Sequence, residues 1–173
     1  MKYGIAMFPS KQLQDVVNSY RKRYDPHYAI IPPHITLKEA FELEEDKIDP
    51  VIDKIHKIAG SIDPVHIEIE KVSSFHPVNN VIYLKIKEDP NLIELHKQLH
   101  GEDFIYKHSY NFVPHITIAQ GLSDIEHSDI LELLRMIDIH HEETIDRFQL
   151  LYQLDNGVWT VHETFHLRKG RTS

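Results

Sequence analysis

Pro33-His34-Ile35-Thr36-Leu37 returns as Pro114-His115-Ile116-Thr117-Ile118, 81 residues further along a chain of 173. Each copy is Pro-His-Ile-Thr followed by an aliphatic residue. On a β-strand successive side chains point to opposite faces, so His and Thr at i and i+2 share a face about 6.6 Å apart. Ile35 and Leu37, and likewise Ile116 and Ile118, then point the other way and can anchor each strand in a core. Proline is tolerated at the first residue of a strand, where no ladder hydrogen bond is lost, and that is where Pro33 and Pro114 stand. Each copy reads as a short strand that offers one imidazole and one hydroxyl from a rigid apolar backing.

Working outward, each phrase sits inside a larger repeat. Tyr3 to Phe8 reads as a strand. Ser10 reads as the N-cap of a helix with Leu13, Val16, Val17, Tyr20 and Tyr24 at helical spacing. Basic Arg21, Lys22 and Arg23 fall in its last turn, where cations suit the helix dipole. After the loop Asp25 to Pro33 and the first His-Ile-Thr strand, Asp49-Pro50 predicts the start of a second helix and Gly60 its stop. Val65, Ile67 and Ile69 alternate with polar residues as a strand. From Val81 to Lys87 the alternation resumes, and Asp89-Pro90 opens a helix carrying Leu92, Leu95 and Leu99. The second His-Ile-Thr strand follows, then a capping box at Ser123 and Glu126 heading a helix with Ile130, Leu133, Leu134 and Ile137. Phe148 to Leu154, the turn Asn156-Gly157, and a return strand with Trp159, Val161, Phe165 and Leu167 on one face predict a terminal hairpin.

The order strand, helix, His-Ile-Thr strand, helix, strand is thus expected over about 3–73 and again over 81–154, with 158–168 as an added strand. This predicts one α+β domain over 1–173, built as a duplicated unit in two pseudo-symmetric lobes with antiparallel sheets around a central groove. A pseudo-two-fold axis between the copies would bring two imidazoles and two hydroxyls face to face across that groove.

Composition bounds the function. Hydrophobic content of 41% with 27% charged residues is that of a soluble globular protein. The formal charge of −8 speaks against a general affinity for long nucleic acid, which needs a broad basic face. No stretch approaches the ~20 apolar residues of a membrane helix. The absence of cysteine excludes disulfides and thiolate metal sites and fits a cytoplasmic location.

Two histidines across one small site suit a reaction that needs a base on one side and an acid on the other, since imidazole populates both forms near neutrality. Hydrolysis of a phosphodiester is such a reaction: His takes a proton from water, the opposite His gives one to the departing oxygen, and threonine hydroxyls bind the non-bridging oxygens. Two other readings of the same residues stand beside it: a binding module that holds a nucleotide phosphate without turnover, and a histidine-dependent metalloenzyme. His96 and His100, at i and i+4 on a helix, have a spacing that can chelate zinc but lack a third ligand, and read as solvated. His162 and His166 read as part of a polar strand face with Thr160, Thr164 and Arg168. His140 and His141, beside Glu142 and Glu143, read as surface.

The paired motifs, with the Tyr3-Gly4-Ile5 opening and the run Ile31-Pro32-Pro33-His34-Ile35-Thr36-Leu37-Lys38, resemble the two-histidine (2H) phosphoesterase superfamily and its bacterial YjcG-like branch over essentially the full length. The resemblance implies a bilobal fold and chemistry without metal or cofactor on 2′,3′-cyclic or 2′–5′-linked phosphates, in hydrolysis, transesterification or RNA-end ligation. It implies His34 as proton donor and His115 as proton acceptor, with Thr36 and Thr117 on the phosphate; the nearly symmetric motifs do not orient those two roles by themselves. Where some relatives carry a basic residue after the second motif, this chain has Ala119-Gln120. Lys38, two past Thr36, is the expected substitute, sharing the face of His34 and Thr36. Phe104, Tyr106, Tyr110 and Phe112 recur just before the second motif as candidate stacking surfaces, Tyr110 foremost. The expected partner is a small nucleotide or short oligonucleotide.

Overall fold

Alternating burial in the repeated phrases builds the two central strands. In the computed structural model, which describes residues 1–101 and 112–168, β2 (Ile35–Glu42) and β5 (His115–Ala119) run antiparallel with Ile35 opposite Ile116. Ile35, Leu37, Ile116 and Ile118 are sealed in the core, while Thr36, His115 and Thr117 are half-buried on the other face. The prolines stop just short of the ladder, where no N–H is asked of them.

The elements in chain order are β1 (Lys2–Met7), α1 (Lys11–Tyr24), β2, α2 (Ile48–Ser61), β3 (Val65–Ser74), β4 (Ile82–Ile86), α3 (Pro90–Leu99), β5, α4 (Asp124–Leu134), β6 (Glu142–Ile145), β7 (Arg147–Gln153) and β8 (Trp159–His166). The strands form one sheet of eight in the order β6-β3-β4-β5-β2-β1-β7-β8. Every ladder among the described residues is antiparallel. Each half lends a strand to the other: β3 pairs with β4, and β7 with β1. The helices cross over too, α1 packing on β5 and α3 on β2. The two halves are therefore related by a pseudo-two-fold axis through the Ile35–Ile116 pair.

Local chemistry fixes most helix starts. The Ser10 hydroxyl accepts from the Leu13 N–H, the Asp89 carboxylate accepts from Asn91 and Leu92 with Pro90 at the first position, and Ser123 and Glu126 complete the capping box. Each such cap is worth about 1 kcal/mol. The second helix departs from expectation. It begins at Ile48, after a 3₁₀ turn over Glu45–Lys47, so Asp49 lies inside the first turn and caps nothing. The start thus comes two residues early, with Ile48 buried in the core. Gly60 lies within the last turn and the helix ends at Ser61. On α4, Leu134 is buried as expected, whereas Leu133 is exposed and His127 turns inward.

The terminal hairpin forms around Gly157, whose φ of 89° is one that glycine adopts freely. A register shift opposite Leu150 and Leu151 breaks the expected alternation of β8. Phe165 and Leu167 enter the core, whereas Val161 is 50% exposed. His162, set apart from His166, lies edge-on to the rings of Tyr3 and Tyr152. β6 has no apolar alternation to announce it; it is an edge strand, paired to β3 through Glu142 to Ile145. No described helix is long and apolar enough to cross a membrane.

Truncating Ile35, at the crossing of the two halves, removes buried volume that no neighbour can refill. Ile35→Ala should cost about 2–5 kcal/mol, read as a lower urea midpoint at unchanged m-value.

Candidate functional site

Antiparallel pairing about Ile35 and Ile116 sets His34 beside Thr117 and Thr36 beside His115. All four side chains line one cavity of about 760 Å³. The two rings are held in the same way. His34 Nδ1 lies 2.8 Å from the Pro32 carbonyl oxygen, and His115 Nδ1 lies 2.7 Å from that of Val113. A carbonyl only accepts, so each Nδ1 carries a proton and donates it, leaving each Nε2 as the titrating nitrogen. Neither Nε2, and neither threonine hydroxyl, has a hydrogen-bond partner among the described residues.

Both imidazoles resist protonation. Removal from bulk water drives the His34 pKa down to about 4, opposed by the Pro32 carbonyl and reinforced by the Arg21 guanidinium. Desolvation lowers His115 as well, opposed by the Val113 carbonyl and by the Glu39 carboxylate. The free site at neutral pH is therefore a pair of neutral rings.

Behind His34 stands a buried ionic joint. Arg21 on α1 is 1% exposed; its Nε donates to Asp25 Oδ2 at 2.9 Å, and its other nitrogens donate to Asn18 Oδ1 and to the carbonyls of Ile31 and His27. Asp25 Oδ1 accepts from the His27 N–H and from Gln120 Nε2. The Gln120 amide also donates to His27 Nδ1, and its backbone N–H to the Tyr24 carbonyl. One network thus ties the loop that delivers His34 to the end of the strand that delivers His115. Reading Arg21 as a cation at a helix end misses this role, because that position satisfies both descriptions. Asp25, a carboxylate four residues beyond Arg21 at the head of the loop to Pro33, was the available signal.

Lys38 does not share the face of His34 and Thr36. The β1–β2 register shifts on both sides of the Ile5–Lys38 pair, and Leu37 and Lys38 are both buried. The Lys38 ammonium donates to the Leu99 carbonyl at the end of α3, 3.0 Å away, and burial lowers its pKa to about 8. The bulge brings Glu39, not Lys38, to the cavity. Tyr110, with Phe104 and Tyr106, lies outside the described residues. Phe112 lines the cavity and stacks on His96 at 3.8 Å, with the planes 6° apart. His96 is 9% exposed rather than solvated, and stacks in turn on His100. The connection after β3 adds Phe75, Val78 and Asn79 to the lining; Phe75 meets the His115 ring edge-on at 5.0 Å. His66, Glu68 and Glu142 gather within 4.8 Å on the β3–β6 edge. None of them lines the cavity, and Glu68 is paired with Lys87.

The description "2'-5' RNA ligase superfamily" matches residues 8–157. A Bacillus cereus (strain G9842) protein named "Putative phosphoesterase" is 55% identical over 98% of this chain and 99% of its own. A Bacillus anthracis protein of the same name matches equally. The crystal structure of TT0787 from Thermus thermophilus superposes with a TM-score of 0.71 at 20% identity, over 99% of this chain and 100% of that one. Escherichia coli LigT complexed with 3'-AMP gives 0.68 at 16%, over 97% and 98%. These last two likenesses carry the fold.

Removing one member of a buried ion pair strands the other. Asp25→Ala should therefore destabilise the protein by about 3–5 kcal/mol in denaturant titration, far beyond Lys11→Ala at the exposed Lys11–Asp15 pair.

Proposed function

The chain is a phosphoesterase of the 2'-5' RNA ligase superfamily, and we propose that it acts on 2′,3′-cyclic or 2′–5′-linked nucleotide phosphodiesters by paired-histidine acid–base catalysis. One observation carries this reading. Two imidazoles with their Nδ1 protons committed to carbonyls turn unengaged Nε2 atoms into one cavity, each with a free hydroxyl alongside. With phosphorus between them, His115 Nε2 accepts the proton of the attacking water or ribose hydroxyl as the new P–O bond forms. His34 Nε2 returns a proton to the leaving oxygen as the old bond breaks. Thr36 and Thr117 donate to the non-bridging oxygens, where charge builds up. Ligation is the same proton traffic run backwards.

The neutral resting site makes the substrate a participant. Desolvation keeps both rings neutral in the free site; Arg21 adds to it at His34, and the Glu39 carboxylate opposes it at His115. A bound phosphodiester anion raises both pKa values and lets the proton reside on His34, as the donor role requires. LigT is a protein of this fold that has been crystallised with 3'-AMP; a nucleotide of that size suits a 760 Å³ cavity. The −8 charge favours such small substrates over long RNA.

His34→Ala and His115→Ala should each lower kcat/KM by about 10²–10⁴ with the fold intact by circular dichroism. Full nucleotide binding without wild-type turnover would instead leave a binding module. Because both free pKa values lie below the usual 6.5, kcat/KM should peak below pH 6.5 and fall on either side, with kcat peaking at higher pH. Chelators should leave the rate unchanged. A p-nitrophenyl phosphodiester, whose leaving group needs no proton, should restore His34→Ala and not His115→Ala; the reverse pattern would exchange the two roles.

A further inference from the structure

The cavity holding the imidazoles has a neighbour. A second one of about 320 Å³ shares His34, Thr36 and Glu39 with it and is also lined by Gly4, Gln153 and Trp159. Both volumes fall in the range of small-ligand sites, about 300–1,000 Å³. Trp159 is the sole tryptophan of the chain. The β8 bulge takes it off the core face of Phe165, and it is half-buried. Its backbone N–H donates to the Ile30 carbonyl at 2.9 Å, which fixes it to the loop leading into His34. The ring lies over β1 at Gly4, where a Cβ would stand 3.6 Å from Cζ3. The site is thus a half-open indole platform, anchored by its backbone, beside the phosphate position.

The polar groups indicate what can lie there. Lys2, Lys38 and Glu39 all border this cavity, but the Lys38 ammonium is turned to the Leu99 carbonyl, and Glu39, which borders both cavities, can accept hydrogen bonds from sugar hydroxyls. A nucleoside suits this lining, with its base on Trp159 and its ribose toward Glu39. On the other side of the phosphate position the main cavity offers the Phe112–His96 stack. One phosphate is flanked by two nucleoside-sized recesses, each with an aromatic face.

We infer that the Trp159 cavity binds the leaving nucleoside of a dinucleoside monophosphate, so that the preferred substrate is a 2′–5′-linked diester rather than a 2′,3′-cyclic mononucleotide, which leaves this cavity empty. The inference rests on the phosphodiester reading above and narrows it. In the reaction the P–O bond to the seated nucleoside breaks. Its departing oxygen lies on the His34 side and takes the proton from that ring, while His115 receives the proton of the attacking hydroxyl.

The test compares wild type, Trp159→Leu and Trp159→Phe on 2′–5′-linked diadenosine monophosphate and on adenosine 2′,3′-cyclic phosphate. Stacking of one base is worth about 1–3 kcal/mol, about 5- to 150-fold. Trp159→Leu should thus lower kcat/KM for the dinucleotide about tenfold or more relative to the cyclic substrate, and Trp159→Phe should recover most of that ratio. Equal losses on both substrates, or no loss on either, overturn the subsite and leave the phosphoesterase reading standing. Should wild type turn over neither, that reading fails, and tryptophan fluorescence still decides the subsite, since all of the signal comes from Trp159. Quenching by the dinucleotide at concentrations where the cyclic mononucleotide has no effect upholds it, and equal or absent quenching removes it.

Discussion

The pairing of Ile35 with Ile116 is the constraint on which the rest depends. Among the described residues it is the one ladder contact joining the two central strands, and it lies where the pseudo-two-fold axis passes. A slip of one residue on either strand would turn His and Thr into the core and Ile into the groove. Four buried aliphatic side chains, two on each strand, make that slip prohibitively costly. The geometry of the four groove residues is therefore held by apolar burial on the reverse face, and their polar groups are released from any structural duty. Unpartnered hydroxyls at Thr36 and Thr117 are tolerable for the same reason, since burial elsewhere fixes their strands and the groove leaves them half-open to water.

This explains which features were legible in the sequence. The paired phrases could be read because a strand has period two and the phrase occurs twice, so face, partner and symmetry all follow from spacing. Capped helices were equally plain, since Ser10, Asp89 and Ser123 act through bonds to backbone within three residues. Lys38 was illegible because a bulge changes the period by one at the position where the prediction needed it. The same failure befell Val161 and His162 on β8. Bulges are set by the partner strand, and one strand's alternation carries no record of it. His96 was misjudged for a different reason: a helix presents His at i and i+4 to whatever covers that face, and only the arriving strand and Phe112 decide whether that is water.

The electrostatic character of the groove follows from the same accident of period. With Lys38 withdrawn to the Leu99 carbonyl and Glu39 in its place, the groove gains a negative charge where a cation was expected. In the proposed reaction an anionic substrate would be held less by fixed positive charge than by hydroxyl donors and by histidines it helps to protonate. A site of that kind would bind its substrate and arm its acid in one event, with little hold on a polyanion that cannot seat a phosphorus between the rings.

The buried joint of Arg21, Asp25 and Gln120 has a role that its energetics alone would not reveal. A desolvated ion pair contributes little net stability compared with well-packed apolar residues of the same volume. What apolar residues could not do is hold the carbonyls of Ile31 and His27 and the Gln120 amide in one frame. Ile31 precedes Pro32, whose carbonyl fixes the His34 tautomer; Gln120 lies three residues beyond Thr117 on the other central strand. The guanidinium, with its several directed donors, spans the seam between the two halves and aligns them at the level of individual hydrogen bonds, where the Ile35–Ile116 contact aligns only the strands. Apolar packing sets the register, and the ion pair sets the aim of the ring.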